Sequence, residues 1–196
     1  MFRIIVAVAA AISVLALAGV ASAGSVHLAG GGNAEPSFND GGTTLTATVD
    51  VAGLGNFTTQ LSILASGTAS GTSTCENPSD KDKLPAGQNP APFPVTAPGN
   101  RIIPGSDIKN GRVQITATAE TTPLTFEKAG APDCPGSSWT ETVTITNVAW
   151  TSVTITIKQD TDSDGSFDDE TVALGVTCTF SPPTVNGPVP ANKVSC

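Results

Sequence analysis

Hydrophobic and polar residues alternate along much of this chain. In residues 44–51, TLTATVDV, Leu45, Ala47, Val49 and Val51 fall on one side, and Thr44, Thr46, Thr48 and Asp50 on the other. The same period of two runs through 112–119 (Val113, Ile115, Ala117, Ala119), 152–159 (Val153, Ile155, Ile157) and 171–180 (Val172, Leu174, Val176, Cys178, Phe180). In 139–147, WTETVTITN, the inward set is Trp139, Val143 and Ile145, broken only by Glu141. Alternation of β-branched residues with threonine predicts half-buried antiparallel strands. Turn residues punctuate the runs at Asp40-Gly41-Gly42, Gly53-Leu54-Gly55-Asn56, Asn110-Gly111 and Asn186-Gly187. Short strands separated this way predict an all-β fold, an antiparallel β-sandwich with immunoglobulin-like Greek-key connections. Val194 and Cys196 also alternate inward, which places a last strand against the one carrying Cys178.

Residues 77–105 break the rhythm, holding seven of the fifteen prolines. Proline removes a ladder donor, so the stretch is an edge strand, an extended crossing or a loop. The favoured reading is a crossover stiffened by proline and clamped by the flanking Cys75 and Cys134. The alternative is a binding loop, 84–105, of a secreted inhibitor or adhesin. No linker splits the chain, so residues 24–196 are expected to form a single β-sandwich domain.

Residues 1–23 carry one basic residue, Arg3, an apolar run from Ile4 to Val20, and the tripeptide Ala21-Ser22-Ala23. This is the layout of a secretory signal peptide cleaved after Ala23; the apolar run is short for a spanning helix, which needs about 20 residues. Export to the cell envelope or beyond follows, with no membrane insertion after cleavage. The formal net charge of −8 argues against nucleic acid and anionic lipid, which demand clustered Lys and Arg. A protein or a polysaccharide outside the cell is the expected kind of partner. Four cysteines in an exported chain imply two disulfides, and three pairings are open. Sequence proximity favours Cys75–Cys134 and Cys178–Cys196, and the last-strand reading gives the second pair a geometric reason.

One stretch carries distinctive chemistry. QDTDSDGSFDDET, residues 159–171, holds six of the seventeen acidic residues. Residues 160–168 within it fit D-x-D-x-D-G-x-x-D, with carboxylates at positions 1, 3 and 5 and glycine at 6 to turn the chain, as an oxygen-ligand Ca²⁺ loop requires. Asp160, Asp162 and Asp164 would supply side chains, Ser166 a backbone carbonyl, and Asp168 a carboxylate directly or through water. Position 12 is Thr171 rather than a bidentate Glu, Glu170 falls one place short, and Asp169 reads as an outward charge. The bland alternative is a solvated hairpin tip, yet so many adjacent carboxylates repel one another without a cation. The nine residues resemble the calcium loops in β-hairpins of integrin α-subunits, a resemblance that implies a metal site and no integrin function.

Catalytic equipment is sparse. His27, the single histidine, lies near the expected new N-terminus, the cysteines are expected to be paired, and tyrosine is absent. The expectation is a protein without enzymatic activity. The competing reading is a small polysaccharide hydrolase working through paired carboxylates, for which Glu76, Glu120, Glu127 and Glu141 are the candidates. Of the two tryptophans, Trp139 reads as core. Trp150 shares parity with Ser152, Thr154 and Thr156; unless a bulge near 147–149 turns it inward, it is the aromatic expected at the surface, as a cap or a partner contact.

The phrases VAGLGNFTTQLSI (51–63), PAGQNPAP (85–92), IKNGRVQITATA (108–119) and GAPDCPGSSWTETVTITNVAWTSVTITIKQ (130–159) together resemble a group of uncharacterised small exported proteins of high-GC Gram-positive bacteria. The resemblance implies export and an all-β fold. It brings no activity, substrate or catalytic residue, and the acidic stretch 160–170 is not a feature it covers.

Overall fold

The computed structural model describes residues 25–31, 34–79, 83–88 and 90–196; the expected leader, 1–23, lies outside them. Twelve strands follow in order: β1 (His27–Leu28), β2 (Ser37–Asp40), β3 (Thr44–Ala52), β4 (Thr59–Glu76), β5 (Lys83–Gln88), β6 (Phe93–Ile103), β7 (Arg112–Glu120), β8 (Thr125–Lys128), β9 (Thr140–Gln159), β10 (Val172–Phe180), β11 (Gly187–Pro188) and β12 (Val194–Ser195). They form two packed antiparallel sheets. One contains β1, β2, β3, β7 and β11; the other is built on the long β4–β9 pair, with β5 and β6 beside β4, and β8 and β10 beside β9.

The alternation read in the sequence becomes the core. Leu45, Ala47, Val49 and Val51 of β3 are fully buried, and belong to one hydrophobic cluster with Leu61, Val153, Ile155 and Ile157 of the opposite sheet. Their partner β7 runs in unbroken register, from Thr44 opposite Glu120 to Ala52 opposite Arg112. Burying a residue of this size contributes roughly 1.5–3 kcal/mol. Both expected disulfides are present, Cys75–Cys134 and Cys178–Cys196, and β12 pairs with β10 through Thr179–Ser195 and Phe180–Val194. On the chain-entropy account, loops of this length are worth about 4 and 3 kcal/mol.

The proline-rich stretch resolves into strand. β6 pairs with β4 from Ile103 opposite Thr59 to Phe93 opposite Ala69 and forms an edge, where Pro94 and Pro98 are tolerated because no further strand needs their missing donors. The edge strand is therefore the reading that holds over 93–103. Here β6 approaches β7 closely: a Cβ on Gly99 would lie 2.1 Å from the Thr118 carbonyl oxygen and 2.5 Å from its carbon. Gly99→Ala is accordingly expected to lower the unfolding free energy by about 1–3 kcal/mol, the usual range for overpacking, measured by urea denaturation. An unchanged midpoint would show that β6 and β7 can separate freely.

Strand β9 differs from expectation. It is one strand of 20 residues, where the sequence suggests two runs, because two bulges reset its parity. Thr146 is the extra residue between the pairs Ser70–Asn147 and Gly71–Ile145, and Thr151 the extra residue between Ser66–Ser152 and Gly67–Trp150. Each bulge faces a glycine of β4, and a Cβ on Gly71 would sit 2.1 Å from the Thr144 carbonyl oxygen. Val143 and Ile145, Val148 and Trp150, then Val153, Ile155 and Ile157 all consequently point inward.

Candidate metal centre

The acidic stretch is the connection between β9 and β10. It follows a tight sequence of side-chain-capped turns: the N–H of Asp164 donates to Asp162 Oδ1 (3.2 Å), that of Ser166 to Asp164 Oδ1 (2.6 Å), and that of Asp168 to Ser166 Oγ (3.3 Å). Aspartate and serine at alternate positions favour this local bonding over a ladder. Ser163 and Gly165 adopt left-handed backbone, with φ of 65° and 83°; the glycine at position 6 makes the sharp turn without steric cost.

Two contacts fix the loop to the domain. Asp160 donates its N–H to the Thr58 carbonyl (2.9 Å), and Lys158 Nζ donates to the carbonyl of the buried Phe167 (2.5 Å). Asp160 is itself 6% exposed; its Oδ2 accepts from the Gly165 N–H (3.2 Å), while Oδ1 is buried without a hydrogen-bond partner. A buried ionised oxygen is costly unless it meets a donor or a cation.

Carboxylate oxygens of the loop gather in two groups that share Asp162. Those of Asp160, Asp162 and Glu170 lie within 4.8 Å of one another, as do those of Asp162, Asp164 and Asp169. Such an all-oxygen cluster could hold a metal ion. Of the expected set, the structure places Asp162 in both groups, Asp160 in the first and Asp164 in the second. Ser166 and Asp168 are placed in the turn, and Asp168 belongs to neither carboxylate group. Glu170 and Asp169 enter instead, because the loop is a hairpin. The returning chain carries Glu170 back beside Thr161, whose N–H and Oγ1 both donate to its carboxylate. Crowding shows in the electrostatics. The Asp164 N–H draws the Asp162 carboxyl down, but desolvation and the charges of Asp164, Asp169 and Glu170 together push it above the ordinary aspartate value.

The other candidate residues scatter. Glu120 is exposed on β7, Glu127 on β8, and Glu76 closes β4. Glu141 is fully buried beside the Cys75–Cys134 bridge: its Oε2 accepts from the Asp133 N–H (3.3 Å), and its Oε1 lies 4.0 Å from Lys128 Nζ. Lys128 also holds Asp133 at 2.8 Å and keeps that carboxyl below the usual range.

Trp150 requires a correction. The expected surface aromatic is completely buried, because the bulges at Thr146 and Thr151 give it the parity of Val148 and the core. Its backbone N–H donates to Thr184 Oγ1 (3.0 Å), and its backbone carbonyl accepts from the Thr184 N–H (2.9 Å). Thr184 Oγ1 in turn donates to Oδ2 of the buried Asp40 (2.5 Å). Trp139, expected in the core, is instead half-buried just before β9.

No protein-family model, no curated protein and no solved structure matches this chain.

Proposed function

We propose that this protein is an exported, non-enzymatic β-sandwich that binds calcium in the β9–β10 loop and serves outside the cell as a binding or structural domain. The observation that carries the reading is Asp160, whose buried Oδ1 has no donor and whose carboxylate clusters with those of Asp162 and Glu170. Asp164 and Asp169 extend the oxygen set outward; Ser166 and Asp168 complete the turn. Among the described residues only oxygen donors converge, which suits a hard cation and disfavours zinc: the cysteines are bonded and His27 is on β1. Calcium accepts the irregular, many-oxygen geometry of such a loop more readily than magnesium, which demands a near-ideal octahedron.

Export is supported by the leader-like residues 1–23 and by the two disulfides, which persist in oxidising compartments. Among the described residues, no helix is long and apolar enough to cross a membrane.

Titration calorimetry tests the metal reading directly. Wild type is expected to bind calcium with a Kd of about 10⁻⁴–10⁻³ M, the range of extracellular modules, and magnesium more weakly. Asp164→Ala should remove binding without unfolding the domain. No calcium heat at millimolar concentration, or undiminished affinity in Asp164→Ala, would overturn the assignment.

A further inference from the structure

The outer face of the larger sheet carries a feature that the calcium loop does not use. Three shallow grooves lie in line along β4. The first, of about 540 Å³, has Ser62 and Leu64 in its floor, Pro98 and Asn100 on one wall, and Thr154 and Thr156 on the other. The second, about 470 Å³, repeats the plan with Ser66 and Thr68 between Pro94 and Thr151. The third, also about 470 Å³, places Ser70 and Thr72 between Pro90 and Pro92 on one side and Thr146 on the other. The floor therefore repeats every four residues of β4. From Ser62 to Thr72 it runs ten residue steps, about 33 Å at the rise of a strand.

The two β-bulges build this trough. The inserted residues, Thr146 and Thr151, are the β9 walls of the third and second grooves. Each is exposed, and its hydroxyl reaches across to a β4 carbonyl, Thr146 to Ser70 (3.4 Å) and Thr151 to Ser66 (3.1 Å). Bulges commonly re-aim side chains beside functional sites, and here both bring a threonine into the same line.

The lining chemistry selects the guest. None of the described residues lining the three grooves is charged, although the chain carries 9 basic and 17 acidic residues. Nucleic acids and acidic polymers would find no cation among these residues. Addition of a peptide strand along β6 is blocked by Pro94 and Pro98, which offer no donor. What the trough presents is hydroxyl groups, each both donor and acceptor, beside apolar surface from prolines and Leu64, itself 50% exposed. A pyranose ring offers the complementary mixture of hydroxyl rim and apolar face, and a linear glycan offers it periodically. We infer that this trough binds a linear, uncharged polysaccharide chain lying along β4. The inference deepens the extracellular binding role proposed above and rests on that role, but not on calcium.

Native affinity electrophoresis of the protein in gels containing hydroxyethylcellulose, xylan, galactomannan or laminarin, with pull-down on insoluble cellulose and chitin, tests the inference. At least one of these neutral polymers should bind wild type, while polygalacturonate should not. Leu64→Glu and Thr68→Glu, both on exposed positions, should weaken binding tenfold or more while leaving the melting temperature unchanged. Thr116→Glu, on the outer face of the other sheet, should have no effect. Failure of every neutral polymer to bind would overturn the inference, as would equal binding by the trough variants. So would sedimentation showing a dimer that Leu64→Glu dissociates, since a second copy would then cover the face. Running each gel with calcium and with chelator separates the two readings. Calcium-bound protein that ignores all glycans sinks the trough alone; glycan binding by a protein that takes up no calcium sinks the metal site alone.

Discussion

Calcium at a hundredfold excess over its Kd should raise the melting temperature of the wild-type protein by about 5–10 °C, and Asp160→Asn should abolish that rise. A ligand that binds only the folded state stabilises it by RT ln(1 + [L]/Kd), about 2.7 kcal/mol at this excess. For a domain of this size each kcal/mol moves the midpoint by roughly 2–4 °C. Asp160 is the decisive position because its buried Oδ1 has no hydrogen-bond partner, whereas Asp162, Asp164 and Asp169 are exposed to solvent. The behaviour without metal separates two explanations. If Asp160 is a ligand, the asparagine removes an uncompensated buried charge from a crowded acidic cluster. The chelated variant should then melt no lower than chelated wild type. If Asp160 is only structural, as an acceptor for the Gly165 N–H, the variant should melt lower in chelator and keep the full calcium increment. Scanning calorimetry of both proteins at that hundredfold calcium excess and in chelator reads all four values, and the second pattern would sink the site.

Much of the fold is visible in the alternation because threonine and β-branched residues mark the faces of β3, β7 and β10 plainly. Strand β4 is not, although β5, β6 and β9 all pair with it. Beyond Ala65 its inward positions are Gly67, Ala69, Gly71 and Ser73, side chains too small to register as hydrophobic. Those glycines were the available signal. Glycine inside a strand marks a bulge or a close backbone approach, and Gly67 and Gly71 face the two bulges of β9. A parity argument that continues across a bulge inverts, which is how Trp150 came to be expected at the surface. The acidic cluster was legible in its first half, where the spacing of the carboxylates is local. Glu170 and Asp169 escaped because their approach depends on the hairpin returning the chain past Thr161, a geometry that counting positions along a loop does not contain.

Trp150→Ala is expected to cost about 3–5 kcal/mol, the range for emptying a buried aromatic site, or a fall of roughly 6–20 °C in melting temperature. Trp150 has no exposed surface, and its backbone is bonded in both directions to Thr184, which carries the connection on to Asp40. Asp40 Oδ1 also accepts from the Gly42 N–H (2.7 Å), and the Gly42 carbonyl accepts from the Val148 N–H (2.9 Å). The indole therefore fills the space around which β2, β9 and the 181–186 segment are tied together. Its removal loosens a junction between the two sheets as well as leaving a cavity. Trp150→Phe should be much milder, since the indole N–H is buried without a partner and losing it offsets part of the lost volume. Trp139→Ala, in the half-buried turn before β9, should cost about 1 kcal/mol or less. Fluorescence distinguishes the two tryptophans: the variant retaining only Trp150 should emit further to the blue than the one retaining only Trp139. Equal destabilisation by the two alanine substitutions, or a red-shifted Trp150, would mean that β9 keeps a single parity and that the bulges at Thr146 and Thr151 do not form.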